Sequence, residues 1–392
     1  MDPEREERHR RRAKLIAKFD AEKRIPPSDH VVAFNDVEDI RYLEYRNTLP
    51  NDNHIEFFEE DHWYRCWNPW FNQWVHSKDG WPSAEVVSVT SLKKDCFAKP
   101  DFDMIARKVI AALISSPEKR DDPKYRYKDC HTVADVRALW SQASTMGTIM
   151  HEHLENLCNL MESDRDRVTN AKYLKYLQKL QNEEYQVAPY FDEALRRIGL
   201  IAFDDSPNQV YRTELRLFYP ALNLSGTIDA LLYNPTTNTY SIVDWKRSKN
   251  VNPDKGKRAR SSAATSPNSW GQGPSEVQKL YNSDFNSYAL QLSLYRIMAQ
   301  RTLNIVIDKL TLVVFDPEKM GPIFISYSPL SVYDIPIKKF EKATLQLLAI
   351  RAEYILHNFG EQIESVNPDL VDELFTIWSE GKLRRGNLIL KH

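Results

Sequence analysis

Apolar positions along the chain follow helical spacing, then alternation, then helical spacing again, and this sequence of periods predicts the elements. Residues 1–27 are charged almost throughout. For the run "RHRRRAKLIAKF" within them, a solvated helix is favoured over the alternative of a nuclear signal. Residues 54–90 alternate in short pieces, "IEFFEE", "HWYRCW", "NQWVHS" and "AEVVSVT", separated by Asn-Pro and Asp-Gly turns. Trp63, Trp67, Trp70, Trp74 and Trp81 all fall here; packing of a hairpin against helices is favoured over stacking on bases. From 102 to 198 the spacing is three and four. "DFDMIARKVIAALI" starts at Asp101 or Asp103 as a cap, and "HTVADVRALWSQAS", "GTIMHEHLENLCNLM" and "NAKYLKYLQKLQNEEYQVAPYFDEALRRIG" follow. Strands return in "QVYRTELRLFYP" and in "LSGTIDALLYNPTTNTYSIVDWKRSKN" (224–250). After them come the helix "FNSYALQLSLYRIMAQR", the strands "LTLVVF" and "IFISYS", and helices to the C-terminus. This alternation predicts an α/β fold with a central mixed β-sheet flanked by helices. It divides the chain into a charged helical segment (1–53), a β-rich, Trp-rich entry region (54–100), a core (101–357) and a C-terminal helical extension (358–392). Residues 249–275 form a basic, then Ser/Gly/Pro-rich insertion in the core.

Composition adds exclusions. With 42% apolar and 28% charged residues over 392 positions, the chain can bury a sizeable core. There is no run of about 18 apolar residues to span a membrane. The N-terminus lacks a leader's apolar stretch, and Asp2, Glu4, Glu6 and Glu7 are too many acids for a transit peptide, so an intracellular protein, cytoplasmic or nuclear, is expected. A net charge of −2 gives no global field for nucleic acid, so such binding must come from local patches. Cys66, Cys96, Cys130 and Cys158 form no CxxC pair, which argues against zinc-finger spacing and disulfides.

The hairpin carries the chemistry. A turn across "NPTTNT" opposes Tyr233 to Tyr240, Leu231 to Ile242 and Asp229 to Asp244. Period two then puts Asp229, Leu231, Ile242, Asp244 and Lys246 on one face and Ala230, Leu232, Val243 and Trp245 on the other. Like charges opposed on a sheet repel, more so when buried. Either Lys246 neutralises one carboxylate in a structural ion pair, or a divalent cation bridges both, with Lys246 beside it to orient a water.

The hairpin resembles a known family. "GTID" followed by "IVDWK" is similar to the paired motifs of PD-(D/E)XK nucleases, with Asp229 in the first acidic position and Asp244 and Lys246 in the D-x-K. "GTIMHEHLE" resembles the histidine-bearing helix of the RecB-like and lambda-exonuclease-like branch, giving His151. "YRTELRLFYP" supplies Glu214 one strand earlier, and "YALQLSLYR" resembles the Q-x-x-x-Y helix, giving Gln291 and Tyr295. "VVSVTSLKKDCFAKPDFD" is similar to the entry segment of mitochondrial genome maintenance exonucleases. "HEHLE" is no zincin motif, and His151 and His153 point about 200° apart on a helix. Glu155, four residues on, shares the His151 face and is read as orienting the histidine or stabilising the helix.

The resemblance implies a restriction-endonuclease-like core. Its metal site would comprise His151, Asp229, Asp244, Glu214 and the Trp245 carbonyl, holding one or two Mg²⁺ or Mn²⁺. Lys246, Asp244 and Asp229 would be catalytic; Gln291 and Tyr295 would contact substrate phosphate or the catalytic lysine. It implies a metal-dependent deoxyribonuclease acting on single-stranded DNA or duplex ends, an exonuclease of repair, recombination or replication with a helicase or other replication or repair protein as partner. An RNA-cleaving or site-specific endonuclease, a non-catalytic nucleic-acid-binding module and an ion-paired structural protein are the alternatives. No Fe–S cluster is expected from the cysteines, and no nucleotide cofactor, since a Walker A sequence is lacking. Lys255, Lys257, Arg258 and Arg260 in the insertion are read as phosphate contacts that guide the strand, with a merely solvated loop as the alternative.

Overall fold

The computed structural model describes residues 3–28, 39–58, 63–76, 85–94, 101–167, 169–182, 207–248, 251, 280, 283–315 and 331–381. Charged residues at the start form helix α1 (Pro3–Ala21), whose buried Phe19 lies 5.2 Å from the Phe58 ring. A short helix α2 (Tyr42–Arg46) precedes three antiparallel strands, β1 (Ile55–Phe58), β2 (Trp63–Asn68) and β3 (Gln73–His76). Trp63, Trp67 and Trp74 are buried in this small sheet and Trp70 packs against the main core, so these indoles are packing groups. Arg65 is held between the rings of Phe19 and Trp74, 4.6 and 4.4 Å from their centroids, and pairs with Glu22 and Glu56.

The second sheet is mixed and central. It draws on β4 (Val87–Ser88), β5 (Gln209–Tyr219), β6 (Leu224–Asn234), β7 (Thr239–Arg247), β8 (Ile307–Phe315) and β9 (Ser331–Asp334). The strand order is β4-β6-β7-β8-β9, with β5 paired to β6. β4–β6 and β7–β8 are parallel, the other pairs antiparallel. The β6–β7 hairpin has the expected register, Tyr233 opposite Tyr240 and Leu231 opposite Ile242.

Helices cover both faces, as alternation with two apolar faces requires. One face carries Ala230, Leu232, Val243 and Trp245. It packs on α5 (Val133–Arg167) and α6 (Ala171–Asn182) through residues such as Leu154, Leu157 and Tyr173. The other carries Leu231, Ile242, Leu310 and Leu312. It packs on α7 (Asp284–Leu303), α8 (Ile337–Val366) and α9 (Pro368–Gly381). α3 (Val89–Lys94) follows β4 directly, and α4 (Phe102–Ser115) is capped by Asp101, which accepts from the Met104 N–H at 2.9 Å. α4 joins the first half of α5 in a separate small core with Leu113, Cys130 and Val136. Cys66, Cys130 and Cys158 are free thiols in three different cores. Among the described residues, no helix is long and apolar enough to cross a membrane. The expected strand at 323–328, the end of the helical stretch beyond 182, Cys96, Trp81 and the basic insertion apart from Val251 lie outside the described residues.

Asn159 ties α5 to the sheet. Buried at 1% exposure, it accepts from the Leu43 N–H (2.8 Å) and donates to Thr213 Oγ1 (3.1 Å) and the Glu155 carbonyl (3.0 Å). Asn159→Ala leaves the Leu43 N–H buried and unpaired, and should cost about 1–3 kcal/mol. A urea titration should show a lower midpoint with an unchanged slope, and an unchanged midpoint would remove Asn159 from this role.

Candidate metal centre

The centre occupies a break in the sheet. On the edge of β6 away from β5, β4 pairs with Leu224 and Ser225, and β7 pairs with Ala230 onward. Residues 226–229 therefore have no strand partner on that edge. The sequence opposes Asp229 to Asp244, but the ladder ends one pair short and the strands diverge. The Asp229 side chain fills the break: its Oδ2 accepts the Trp245 N–H at 2.7 Å. A buried N–H needs an acceptor, and here a carboxylate replaces the main-chain one.

Three side chains converge on this point from three elements. α5 brings His151, whose Nδ1 lies 3.6 Å from Asp229 Oδ2 and 3.7 Å from Glu214 Oε1. Glu214 comes from β5, where its φ of 44° puts a non-glycine residue in the left-handed region in mid-strand. Such a conformation costs about 1–3 kcal/mol and survives only where the surroundings impose it. One ligand atom each from His151, Glu214 and Asp229 can be chosen with all three within 4.8 Å of one another. An imidazole and two carboxylates form a donor set for a divalent cation.

Asp244 stands apart from that trio. At 1% exposure it faces Lys246, with Nζ 2.7 Å from Oδ2, while its Oδ1 has no hydrogen-bond partner. Lys246 Nζ also lies 3.6 Å from Asp229 Oδ2 and donates to the Trp245 carbonyl at 3.0 Å, the oxygen expected as a further ligand. Three carboxylates thus surround one ammonium and one imidazole. That excess of negative charge, with Asp244 Oδ1 left unbonded, fits a cation.

Electrostatics follow from this crowding. Burial pushes Asp244 up to about 6, and Asp229 adds to the rise, against the pull of Lys246. Burial also raises Glu214, aided by Asp229 and opposed by its contact with His151. Burial alone would depress both His151 and Lys246; the neighbouring carboxylates, Asp229 foremost, outweigh it and raise both. Beside Glu214 opens a cleft of about 500 Å³ lined in part by Glu152, Glu155, Arg212 and Arg216. Glu155 does not orient His151. Among the described residues its carboxylate makes no hydrogen bond or ion pair, and burial together with Glu214 pushes it up to about 7 against Arg216. His153 points elsewhere and meets the Tyr176 hydroxyl at 3.1 Å.

Gln291 and Tyr295 lie on α7 and are both buried. Gln291 Nε2 donates to Tyr295 Oη at 3.1 Å, but its oxygen meets Lys93 rather than Lys246. Lys93, which the sequence reading did not single out, lies on α3, with its amine 5.2 Å from the centroid of the Tyr288 ring; Lys246 lies 5.5 Å from the same centroid. The signal was there: Val89, Leu92 and Lys93 follow helical spacing and all three are buried. The ring of Tyr295 lies against Gly226, where a Cβ would come within 2.5 Å of Cε1, which explains the glycine of "GTID". Lys255, Lys257, Arg258 and Arg260 lie outside the described residues. Comparison with known proteins finds no protein-family model that matches the chain and no significantly similar curated protein.

Gly226→Ala should cost about 1–3 kcal/mol by overpacking, and much less in a Tyr295→Leu background. Equal losses in both backgrounds, measured by urea unfolding, would mean that the ring is not what the glycine accommodates. For Glu155, the folded pKa of about 7 exceeds the ordinary value of 4.5. Its contribution to stability is therefore complete below about 4.5 and lost as pH rises through about 7. Without added metal, Glu155→Gln should leave the melting temperature unchanged at acid pH and raise it at pH above about 7. A constant difference across the range would contradict this origin.

Proposed function

We propose that the chain is a metal-dependent deoxyribonuclease with a restriction-endonuclease-like core, hydrolysing phosphodiester bonds at DNA ends. The observation that carries this is the grouping of His151, Glu214 and Asp229 where the strands diverge, with the Asp244–Lys246 pair beside it. An ion-paired structural protein would have no use for a third carboxylate, a strained Glu214 and an imidazole at one point. Resemblance of the motifs to PD-(D/E)XK nucleases supports DNA as the substrate and Mg²⁺ or Mn²⁺ as the ion.

His151, Glu214 and Asp229 would hold the cation, with Asp244 and the Trp245 carbonyl completing the set. When bound, it supplies Lewis acidity, acidifying water and drawing charge from the phosphate. Asp229 has a second task, since its bond to the Trp245 N–H fixes the carboxylate in place. Lys246 keeps its proton, because Asp229 and Asp244 raise its pKa. Its ammonium can therefore orient a water by donation and stabilise charge on a non-bridging phosphate oxygen. The oxygen of that water bonds to phosphorus as the bond to the leaving oxygen breaks, and a proton passes to the leaving oxygen. Strand ends can be positioned by Tyr295 and Gln291, on the α7 side of the same opening.

Calorimetry with Mn²⁺ on the purified protein should show binding that is lost in Asp229→Ala and weakened in His151→Ala. Lys246→Ala should keep the ion but lose roughly 10²–10³ in cleavage rate on end-labelled DNA. An absence of Mn²⁺ binding by the parent protein, or wild-type cleavage by Lys246→Ala, would overturn the proposal.

A further inference from the structure

Lys93 is a lysine at 6% exposure, placed at the site by the six-residue helix that follows β4. Its ammonium donates to Gln291 Oε1 and to the Ser287 carbonyl at 3.4 Å. An ammonium has three donors and no acceptor, so the amide oxygen of Gln291 must face it. The amide nitrogen must then face the other way, where it meets Tyr295 Oη at 3.1 Å. A hydroxyl that accepts from an amide keeps its own proton free to donate. Among the described residues, Gln291 is the sole hydrogen-bond partner of that hydroxyl. Turned by half a rotation, the same amide would present its oxygen to Tyr295 and take that proton.

We infer that Lys93 is a positioning residue. Through the fixed amide of Gln291 it reserves the Tyr295 hydroxyl proton for a phosphate oxygen of the substrate strand. The identity of the acceptor rests on the nuclease reading; the direction of the hydrogen bonds does not. The ring that carries the hydroxyl packs on Gly226, three residues before Asp229 and beside the break in the sheet.

Three variants separate this role from simple packing. Lys93→Met keeps the length and removes the charge; Lys93→Arg keeps a cationic donor. Gln291→Glu keeps the contact with Lys93 but offers only acceptor oxygens, so it takes the Tyr295 proton outright. Tyr295→Phe, which lacks the proton, should lower kcat roughly 10²-fold. Lys93→Met and Gln291→Glu should lower kcat in the same direction, with KM, Mn²⁺ affinity and melting temperature near those of the parent. Neither should add to the loss in the Tyr295→Phe background, and Lys93→Arg should recover most of the rate. Losses that multiply with Tyr295→Phe, or a Gln291→Glu enzyme with parental kcat, would overturn the inference; the second outcome decides even where Lys93→Met fails to fold.

A readout without catalysis keeps this test apart from that of the nuclease reading. In metal-free protein carrying ¹⁵N-glutamine, the Gln291 side-chain amide resonance, assigned by its loss in Gln291→Glu, should shift in Tyr295→Phe and in Lys93→Met. A resonance indifferent to Tyr295→Phe would overturn the relay whether or not the protein cleaves DNA. If it shifts as expected and no cleavage is found, the relay stands and the nuclease reading falls.

Discussion

The bond from the Trp245 N–H to the Asp229 carboxylate is the interaction on which the rest of the site depends. It takes the place of a main-chain rung where β6 and β7 diverge, and it is only 2.7 Å long. Left unpaired, that buried N–H would cost about 1–3 kcal/mol. With the carboxylate supplied, the sheet can open without losing the hydrogen bond. The opening admits His151 from one side and the Tyr295 ring from the other. Lys246 is carried to the same point as the residue after Trp245.

What surrounds this bond is destabilising taken piece by piece. Three carboxylates crowd together, one backbone residue is left-handed, and burial opposes the charge on Asp244, Glu214, His151 and Lys246. The fold bears these costs because the sheet is covered on both faces, with Trp245 on one and Leu231 and Ile242 on the other. Stability is concentrated in the apolar layers, and the polar residues sit where those layers have a gap. A site of this kind is rigid because its walls are, and Asn159 and Gly226 belong to the walls rather than to the chemistry.

Much of this was legible in the sequence. The hairpin register followed from period two and the "NPTTNT" turn, and the mixed sheet from the alternation of helical and strand spacing. The grouping of His151, Glu214 and Asp229 drew on resemblance, since no periodicity links three residues on a helix and two separate strands. Other features had no local sign. Alternation predicts that Asp229 and Asp244 face each other, and nothing in it says that the ladder stops before reaching them. The left-handed Glu214 is set by its tertiary neighbours, and glutamate carries no preference for that region. Lys93 did have a sign, its helical spacing with Val89 and Leu92, but a lysine there reads as a solvated end of a helix until its partner, some two hundred residues later, is in place.

Helix α5 runs unbroken for 35 residues, a rod of about 52 Å. Its first half belongs to the small core with α4 and its second half to the core under the sheet. His151 and Gly147 fall near the change from one to the other. In mechanical terms the imidazole sits at the fulcrum of a lever. Tilting the outer arm by about 10° would carry its tip roughly 5 Å, given a rise of about 1.5 Å per residue, and leave the fulcrum almost still. Because the two halves are gripped by different cores, the outer half is set with α4 and the inner half, which aims the imidazole, is set with the sheet.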